Sequence, residues 1–225
     1  MKPHRATLRG FSFVELLIVL TVMGFLASLS LLALKPLTSS QNLNSAGDKV
    51  ASLLAFAREE AIAKNTLTAL VLITSPSQGQ AAFRTFSVWE VALPVAGGAP
   101  TSANWYQATK WQELPYGTVL DSGYPTSNNF LTPITVNPAL PATINYLGAP
   151  LSTSSSSCAV QYFLPSGRLD WSSSGNCTIQ VVEVYYNGSA TVYTHTVLSS
   201  PTQAADYIQY VLSPATGEAK VVRPN

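Results

Sequence analysis

Histidine and cysteine are scarce in this sequence, and the motifs that they usually serve are absent. The 225 residues include two histidines, His4 and His195, and two cysteines, Cys158 and Cys177. There is no H-E-x-x-H or G-x-S-x-G motif, no phosphate-binding glycine-rich loop and no Cys/His cluster with metal-ligand spacing. Beyond residue 65 the acidic residues stand singly, so no carboxylate pair or calcium-binding loop is readable. These absences argue against an enzyme, a cofactor and a small-molecule substrate.

Charge is scarce too, which bears on whether the chain can fold. Charged residues make up only 10% of the chain, and hydrophobic residues make up 47%. Disordered chains have the opposite composition, with few apolar residues and a high net charge. A packed core is therefore feasible, and the length suits one domain plus an additional segment.

The apolar residues are concentrated near the N-terminus. Residues 11–34 form a run of 24 residues in which Glu15 is the single charged residue. A helix needs about 20 mainly apolar residues to cross a bilayer, and this run is too long for an ordinary secretory signal. Residues 1–10 carry three bases and no acid, and such flanks stay in the cytoplasm. We therefore predict a membrane-spanning helix over Phe11–Leu34 with a cytoplasmic N-terminus.

The start of this run has a specific pattern. The sequence Gly10-Phe11-Ser12-Phe13-Val14-Glu15 resembles the class III leader of type IV prepilins. In that family a prepilin peptidase cuts after the glycine, and the new N-terminal phenylalanine is methylated. The resemblance implies that residues 1–10 are a leader, that cleavage falls between Gly10 and Phe11, and that Phe11 is methylated. Glu15 then occupies the fifth mature position, where its carboxylate could pair with the Phe11 amine of a neighbouring subunit and set the register of a filament.

A second helical pattern follows Pro36. Apolar residues recur there at helical spacing, on one stripe: Leu43, Ala46, Val50, Leu53, Leu54, Ala57 and Ala61. Glu60 and Lys64 form an i,i+4 pair, and Asn65 is a candidate C-cap. The pattern predicts a helix over Phe11–Asn65, about 80 Å long at 1.5 Å per residue, with Pro36 as a kink or first-turn residue. Residues 35–65 would be its amphipathic outer half, packed on a sheet.

Beyond Asn65 the pattern changes to β. Strand-like runs occur at residues 69–73, 81–93, 117–120, 159–164, 178–186, 190–198, 207–212 and 219–222. Turns are predicted at Asn187-Gly188, Pro165–Arg168 and Pro214–Gly217. We therefore expect an α+β fold in which the N-terminal helix packs on an antiparallel β-rich head, residues 66–225.

One part of the predicted head differs in composition. Residues 94–150 are rich in proline, glycine, serine, threonine and asparagine, which predicts an insertion with long loops. Its aromatic residues are Trp105, Tyr106, Trp111, Tyr116 and Tyr124. They would form either a contact surface or a small satellite core, and we favour the core.

Further resemblances lie at the end of the helix and near the C-terminus. The stretch from Ala57-Arg58 to Asn65 resembles the AR-x-EA-x-x-x-N pattern of H-type minor pseudopilins and FimT/FimU-like minor pilins. Residues 162–167 and 211–217 resemble the F-x-P-x-G and terminal TG strands of the H-type family. The ending Val222-Arg223-Pro224 is also similar to prepilin-like proteins of the Verru_Chthon gene cassette.

These resemblances imply a type IV pilin-like fold and a structural role. The chain would be a minor pseudopilin or minor pilin that is processed by prepilin peptidase and assembles into or primes a type II secretion pseudopilus or a type IV pilus. Its partners would be other pseudopilins or pilins and the inner-membrane assembly platform. It would reside in the bacterial inner membrane with its head in the periplasm, and then in the filament. The alternative is a membrane-tethered periplasmic binding module that never enters a filament.

A DNA-binding minor pilin is a third hypothesis, because some FimT-like pilins take up DNA through basic residues near the C-terminus. Removing the leader leaves 9 basic against 11 acidic residues, a net charge of −2. Glu218 lies where a base would help, and only Arg168, Lys220 and Arg223 could contribute. Affinity for phosphates depends on clustered lysine and arginine, so the sequence argues against a nucleic-acid partner.

The two cysteines lie beyond the predicted membrane span, in an oxidising compartment. A bridge between Cys158 and Cys177 would close a loop of about 20 residues, worth roughly 3 kcal/mol in the chain-entropy model. It would clamp the strand at residues 159–164 to the next strand. The sequence favours this disulfide, and the alternative is a pair of buried free thiols.

Overall fold

The computed structural model describes the backbone of residues 12–92, 99–121, 129–130, 139–154, 157–171, 175–186, 191–193, 196–197 and 200–223. Within these ranges, the side chains of residues 29–39, 185–186 and 191–203 are not described. The chain divides into two compact units, residues 1–40 and residues 41–225.

An α-helix, α1, spans Phe13–Ala63. Its bounds lie within two residues of those predicted from the sequence, and position 36 falls inside it. The side chains described from residue 12 to residue 28 are all exposed. Of the predicted span 11–34, position 11 and the side chains of 29–34 lie outside the described residues. In the part of the chain that is described, no helix is long and apolar enough to cross a membrane.

The C-terminal end of α1 is capped as predicted. Asn65 adopts a left-handed conformation, with a φ of 49°. The Thr66 N–H donates to the Ala61 carbonyl oxygen at 3.1 Å, which is the longer hydrogen bond of a Schellman motif. The predicted i,i+4 ion pair is present too, with Lys64 Nζ 2.9 Å from Glu60 Oε2.

Fifteen strands follow in the described residues, all in the second unit. They are β1 Thr68–Ile73, β2 Thr85–Val91, β3 Trp105–Gln107, β4 Gln112–Glu113, β5 Thr118–Leu120, β6 Thr143–Tyr146, β7 Ala149–Ser152, β8 Cys158–Phe163, β9 Leu169–Asp170, β10 Cys177–Tyr186, β11 Thr191–Tyr193, β12 Thr196–Val197, β13 Ser200–Ala204, β14 Tyr207–Leu212 and β15 Ala219–Val222. Two 3₁₀ helices lie at Pro76–Ala81 and Ser102–Asn104.

The strands form two main antiparallel sheets. The first has the order β3-β2-β1-β8-β9, with β4 also pairing with β2. The second has the order β11-β10-β14-β15, with β5 also pairing with β10. Two hairpins, β6–β7 and β12–β13, stand apart from these sheets. The described pairings of named strands are all antiparallel, as the sequence predicts.

The core has two main parts, separated by the first sheet. The predicted stripe of α1 packs on one face, against Leu70 and Leu72 of β1 and against the second sheet. Ala69, Val71 and Ile73 of β1 point to the opposite face, because successive side chains of a strand alternate. The β6–β7 hairpin covers that face and completes a second cluster.

The segment 94–150 forms part of this second cluster. Trp105 is buried in it and Trp111 packs against it, which confirms the satellite core for these two aromatic residues. Tyr106 and Tyr116 are exposed, and Tyr124 lies outside the described residues. Asn187-Gly188 also lies outside the described residues. The strands on either side of it, β10 and β11, pair with each other, and Tyr186 stands opposite Thr191.

The prediction of a disulfide is wrong for this structure. Cys158 and Cys177 are both free and buried. Cys158 shares the second cluster with Val160 and Tyr162, the alternate residues of β8, and its thiol donates to the Ser152 carbonyl oxygen at 3.3 Å. Cys177, at the start of β10, faces the cluster beneath α1. A disulfide needs Cβ atoms about 3.5–4.5 Å apart, and strand alternation instead directs the two thiols into separate clusters.

Candidate functional site

Glu15 is the predicted assembly residue that the structure describes, whereas Gly10 and Phe11 lie outside the described residues. It is in the first turn of α1, where the Glu15 N–H donates to the Ser12 carbonyl oxygen at 3.0 Å. A carboxylate is favourable there, because the N-terminus of a helix carries a partial positive charge. The side chains around it are apolar and exposed, including Phe13, Leu16 and Leu17. Among the described residues 12–28, Glu15 is therefore the one charge on an apolar helix surface.

In the second unit, the fold brings together the three sequence stretches that resemble the H-type family. Arg58, from the helix pattern, donates from Nε to the Thr216 carbonyl oxygen at 2.8 Å. Its Nη2 atom lies 3.8 Å from Glu218 Oε1. The turns at Pro165–Arg168 and Pro214–Gly217 are present as predicted, and both contact this end of α1. We call this region the motif junction.

Glycine is favoured at two positions of the motif junction. Gly167 and Gly217 have φ values of 78° and 70°, a region that residues with a Cβ atom rarely adopt. A Cβ atom on Gly167 would lie 2.6 Å from Ile62 Cδ1, and one on Gly217 would collide with the Gly167 carbonyl oxygen. The two turns therefore touch each other backbone to backbone, and both lie against side chains of α1, Arg58 and Ile62.

A groove opens beside the motif junction, between α1 and the edge strand β15. Its volume is about 390 Å³. The lining residues are Ala51, Leu54, Ala55 and Arg58 of α1, with Tyr210, Gly217, Glu218, Ala219 and Val221. Small apolar side chains dominate it, with the Arg58–Glu218 pair at its side. Burial raises the pKa of Tyr210, which leaves its phenol neutral at physiological pH. This chemistry suits binding and offers no nucleophile paired with a base.

A charged cluster that sequence reasoning missed lies at the last turn of α1. Glu90 of β2 is only 1% exposed, yet it carries a carboxylate. Lys64 Nζ lies 2.6 Å from Glu90 Oε1, and the Tyr106 hydroxyl donates to the same oxygen. These hydrogen bonds to Glu90 raise the pKa values of Lys64 and of Tyr106. The available signal was a single acid within the apolar strand pattern Val88-Trp89-Glu90-Val91.

No protein-family model matches this chain, and no curated protein matches it. Among the solved structures, a similar one is the minor pseudopilin EpsH from the Type 2 Secretion System of Vibrio cholerae. The two chains are 10% identical, the match covers 82% of this chain and 98% of that chain, and the TM-score is 0.40. The likeness is one of fold alone.

The basic residues that could contact DNA are all exposed. Arg168 lies in the first of the two turns, and Lys220 and Arg223 lie in or just after β15. Glu218 stands in the same tail, with its carboxylate facing Arg58. This carboxylate lowers the local positive charge, so the geometry adds no support to a nucleic-acid partner.

Proposed function

We propose that this chain is a minor pseudopilin or minor pilin, a structural subunit that assembles into or primes a type II secretion pseudopilus or a type IV pilus. The observation that carries the proposal is Glu15, an exposed carboxylate in the first turn of an apolar helix that directly follows the leader-like sequence. The motif junction supports it, because three separate stretches with the same family resemblance meet at one place.

The proposed mechanism begins with processing between Gly10 and Phe11 by prepilin peptidase. The run at 11–34, with one charged residue in 24, supports an inner-membrane location before assembly. A carboxylate within a bilayer costs about 2.5–3.5 kcal/mol at mid-depth, so Glu15 favours a site with a cationic partner. The new Phe11 amine of a neighbouring subunit supplies that charge. Pairing offsets both desolvation costs and fixes the axial register of the subunits.

The first experiment neutralises Glu15 without changing its shape. The variant Glu15→Gln should be inserted and cleaved normally, but its recovery in the sheared filament fraction should fall at least tenfold. Thr21→Val is a matched control on the same helix, because the Thr21 hydroxyl donates to the Ile18 carbonyl oxygen of its own turn, at 2.8 Å. Incorporation of Glu15→Gln at the wild-type level would contradict the proposal.

A second experiment tests processing and the identity of the partners. Replacing Gly10 with leucine should block cleavage, as read by intact mass, and a mature chain that still begins at Phe11 would refute the proposed site. Crosslinking in cells should recover either other pseudopilins and a secretion platform, or a major pilin. Recovery of neither, together with an uncleaved wild-type chain, would favour the tethered binding module.

A further inference from the structure

Arg84, just before β2, is a buried cation without a carboxylate partner among the described residues. Its relative exposure is 7%, and no described ion pair includes it. All 11 acidic residues of the chain lie within the described ranges. Burying a charge is costly unless an opposite charge and hydrogen bonds compensate it. Arg84 therefore has the character of one half of an ion pair.

The hydrogen bonds of Arg84 leave one edge of its guanidinium open. Nη1 donates to the Gln80 carbonyl oxygen at 3.2 Å, and Nη2 donates to the Leu114 carbonyl oxygen at 2.8 Å. Nε is buried and has no hydrogen-bond partner among the described residues. Arginine binds a carboxylate through two parallel N–H donors, for which its planar guanidinium has a fixed geometry. The unpaired donor therefore suits a carboxylate oxygen.

The backbone just before Arg84 is strained. Phe83 has a φ of 60°, which is a conformational outlier for a bulky side chain. The Phe83 N–H donates to the Ile73 carbonyl oxygen at 2.7 Å, and the Leu120 N–H donates to the Phe83 carbonyl oxygen at 2.8 Å. These two bonds hold the strained conformation, after which the Arg84 side chain enters the fold. Strain of this kind is found preferentially at binding and active sites.

A second cation lies on the neighbouring peptide group. The Lys49 ammonium of α1 donates to the Glu113 carbonyl oxygen at 2.6 Å, and Arg84 contacts the next carbonyl oxygen along the chain. The described ion pairs do not include Lys49 either. The Glu113 carboxylate acts instead on Tyr146 of the second cluster, whose pKa is raised by burial and, to a smaller extent, by this carboxylate. The positive charge of Lys49 and Arg84 is therefore not neutralised locally.

Tyr116 covers the guanidinium on the solvent side. Its ring centroid lies 5.7 Å from Arg84 Cζ, at cation–π distance, and the residue is 74% exposed. Asn42 Nδ2 donates to the Tyr116 carbonyl oxygen at 3.3 Å, which ties the backbone of this residue to α1. An exposed ring loses little buried area when it turns aside. The ring can therefore uncover the guanidinium without a change in the fold.

We propose that Arg84 and Lys49 form a binding site for a carboxylate, with Tyr116 as its movable cover. The carboxylate accepts a hydrogen bond from Arg84 Nε and is attracted by the Lys49 ammonium. Polyanions such as nucleic acids are recognised through clusters of lysine and arginine, whereas one guanidinium and one ammonium suit a single carboxylate. Its source is either an acidic side chain of a partner protein or a small molecule.

The test uses the full-length chain with isotope-labelled arginine, and sodium acetate as the carboxylate probe. The Arg84 Nε–H resonance, assigned with Arg84→Lys, should show a saturable shift when acetate replaces chloride at constant ionic strength and pH. Arg58 is the internal control, because its Nε already donates to the Thr216 carbonyl oxygen at 2.8 Å. An Arg84 resonance that stays in place, or that moves without saturation as Arg58 does, would overturn the inference.

Lys49→Gln tests the second cation. Acetate binding should weaken about threefold, which is the effect expected of a charge that is only partly buried. Lys110→Gln is the matched control, because it removes an exposed lysine of the same unit and should leave the affinity unchanged. Equal affinities in the two variants would remove Lys49 from the site. Wild-type thermal midpoints in both variants would show that the fold is intact.

A photoreactive phenylalanine analogue in place of Tyr116 distinguishes the two sources of the carboxylate. In native membranes, an adduct with another protein would identify an acidic side chain of a partner. A saturable acetate response without any adduct would assign the site to a small carboxylate. Neither readout depends on cleavage at Gly10, so this inference and the proposed function can fail separately.

Discussion

Glu90 shows how a single buried charge can join separate elements. Its carboxylate lies on β2, its ammonium partner Lys64 follows α1, and its phenol partner Tyr106 lies on β3. Burying a carboxylate is costly unless opposite charge and hydrogen bonds compensate it. Both kinds of partner are present, so the cluster fixes the end of the helix to the edge of the first sheet.

The first prediction concerns the pH dependence of this cluster. The hydrogen bond to Glu90 raises the pKa of Tyr106 above its ordinary value of about 10. A raised folded-state pKa contributes stability that is complete below the unfolded pKa and is lost as the pH rises through the folded value. The head should therefore lose stability in the alkaline range above about pH 10. The Tyr106 titration is measured as the ultraviolet absorbance of the wild type minus that of Tyr106→Phe.

Glu90→Gln provides the control, because its amide keeps the shape and removes the charge. The same difference curve, recorded in this background, should move to lower pH. An unchanged midpoint would show that Glu90 is not the cause of the shift.

The second prediction concerns the two thiols. Burial raises the pKa of Cys158 to about 12, and burial also raises that of Cys177. Because the thiolate is the reactive form, the folded chain should resist alkylation at neutral pH. In denaturant without a reductant, intact mass should show two alkylated cysteines per chain. If the denatured chain is alkylated only after reduction, the two cysteines form a disulfide and this prediction is wrong.

At the scale of elements, the motif junction explains why glycine stands in both turns. We predict that Gly217→Ala destabilises the head by about 3 kcal/mol, from backbone strain plus a collision with the Gly167 carbonyl oxygen. Gly117→Ala is the matched control, because Gly117 has a φ of 84° and no atom of the described residues lies within 4 Å of a Cβ at that position. It should cost only about 1 kcal/mol, for strain alone. Urea unfolding, monitored by tryptophan fluorescence, measures the free energy of unfolding of both variants. Equal losses of stability would contradict the close contact between Gly217 and the Gly167 carbonyl oxygen.

The strands show which features sequence patterns can predict. The bounds of β14 and β15 agree with the prediction, and β8 and β10 agree within one residue, because alternating or β-branched runs end at clear turns. The β6–β7 hairpin was missed, since its turn lacks Asn-Gly and Pro150 interrupts the pattern.

The site was harder to predict than the strands. The place of Glu15 in the first helical turn followed from the local pattern, because the apolar run begins beside it. The meeting of Arg58 with the two glycine turns depends on sheet order, which local patterns do not contain. The separation of the cysteines depends in the same way on which face of β8 Cys158 occupies.

At the scale of the whole molecule, the buried core that the structure describes lies in the second unit. Among the described residues, the buried apolar side chains run from Ala46 to Leu212, whereas those described in residues 12–28 are exposed. The core should therefore form without the first unit. We predict that a fragment of residues 41–225 is soluble and unfolds in one cooperative transition.

A shorter fragment beginning at Ala55 is the decisive comparison. It lacks Val50, Leu53 and Leu54, each of which is nearly fully buried beneath the sheets. Burial of such a side chain is worth about 1.5–3 kcal/mol, and whole domains are stable by only about 5–15 kcal/mol. The shorter fragment should therefore show no cooperative transition in calorimetry. If it unfolds at the same temperature as the 41–225 fragment, the outer half of α1 is an attachment to the head and not part of its core.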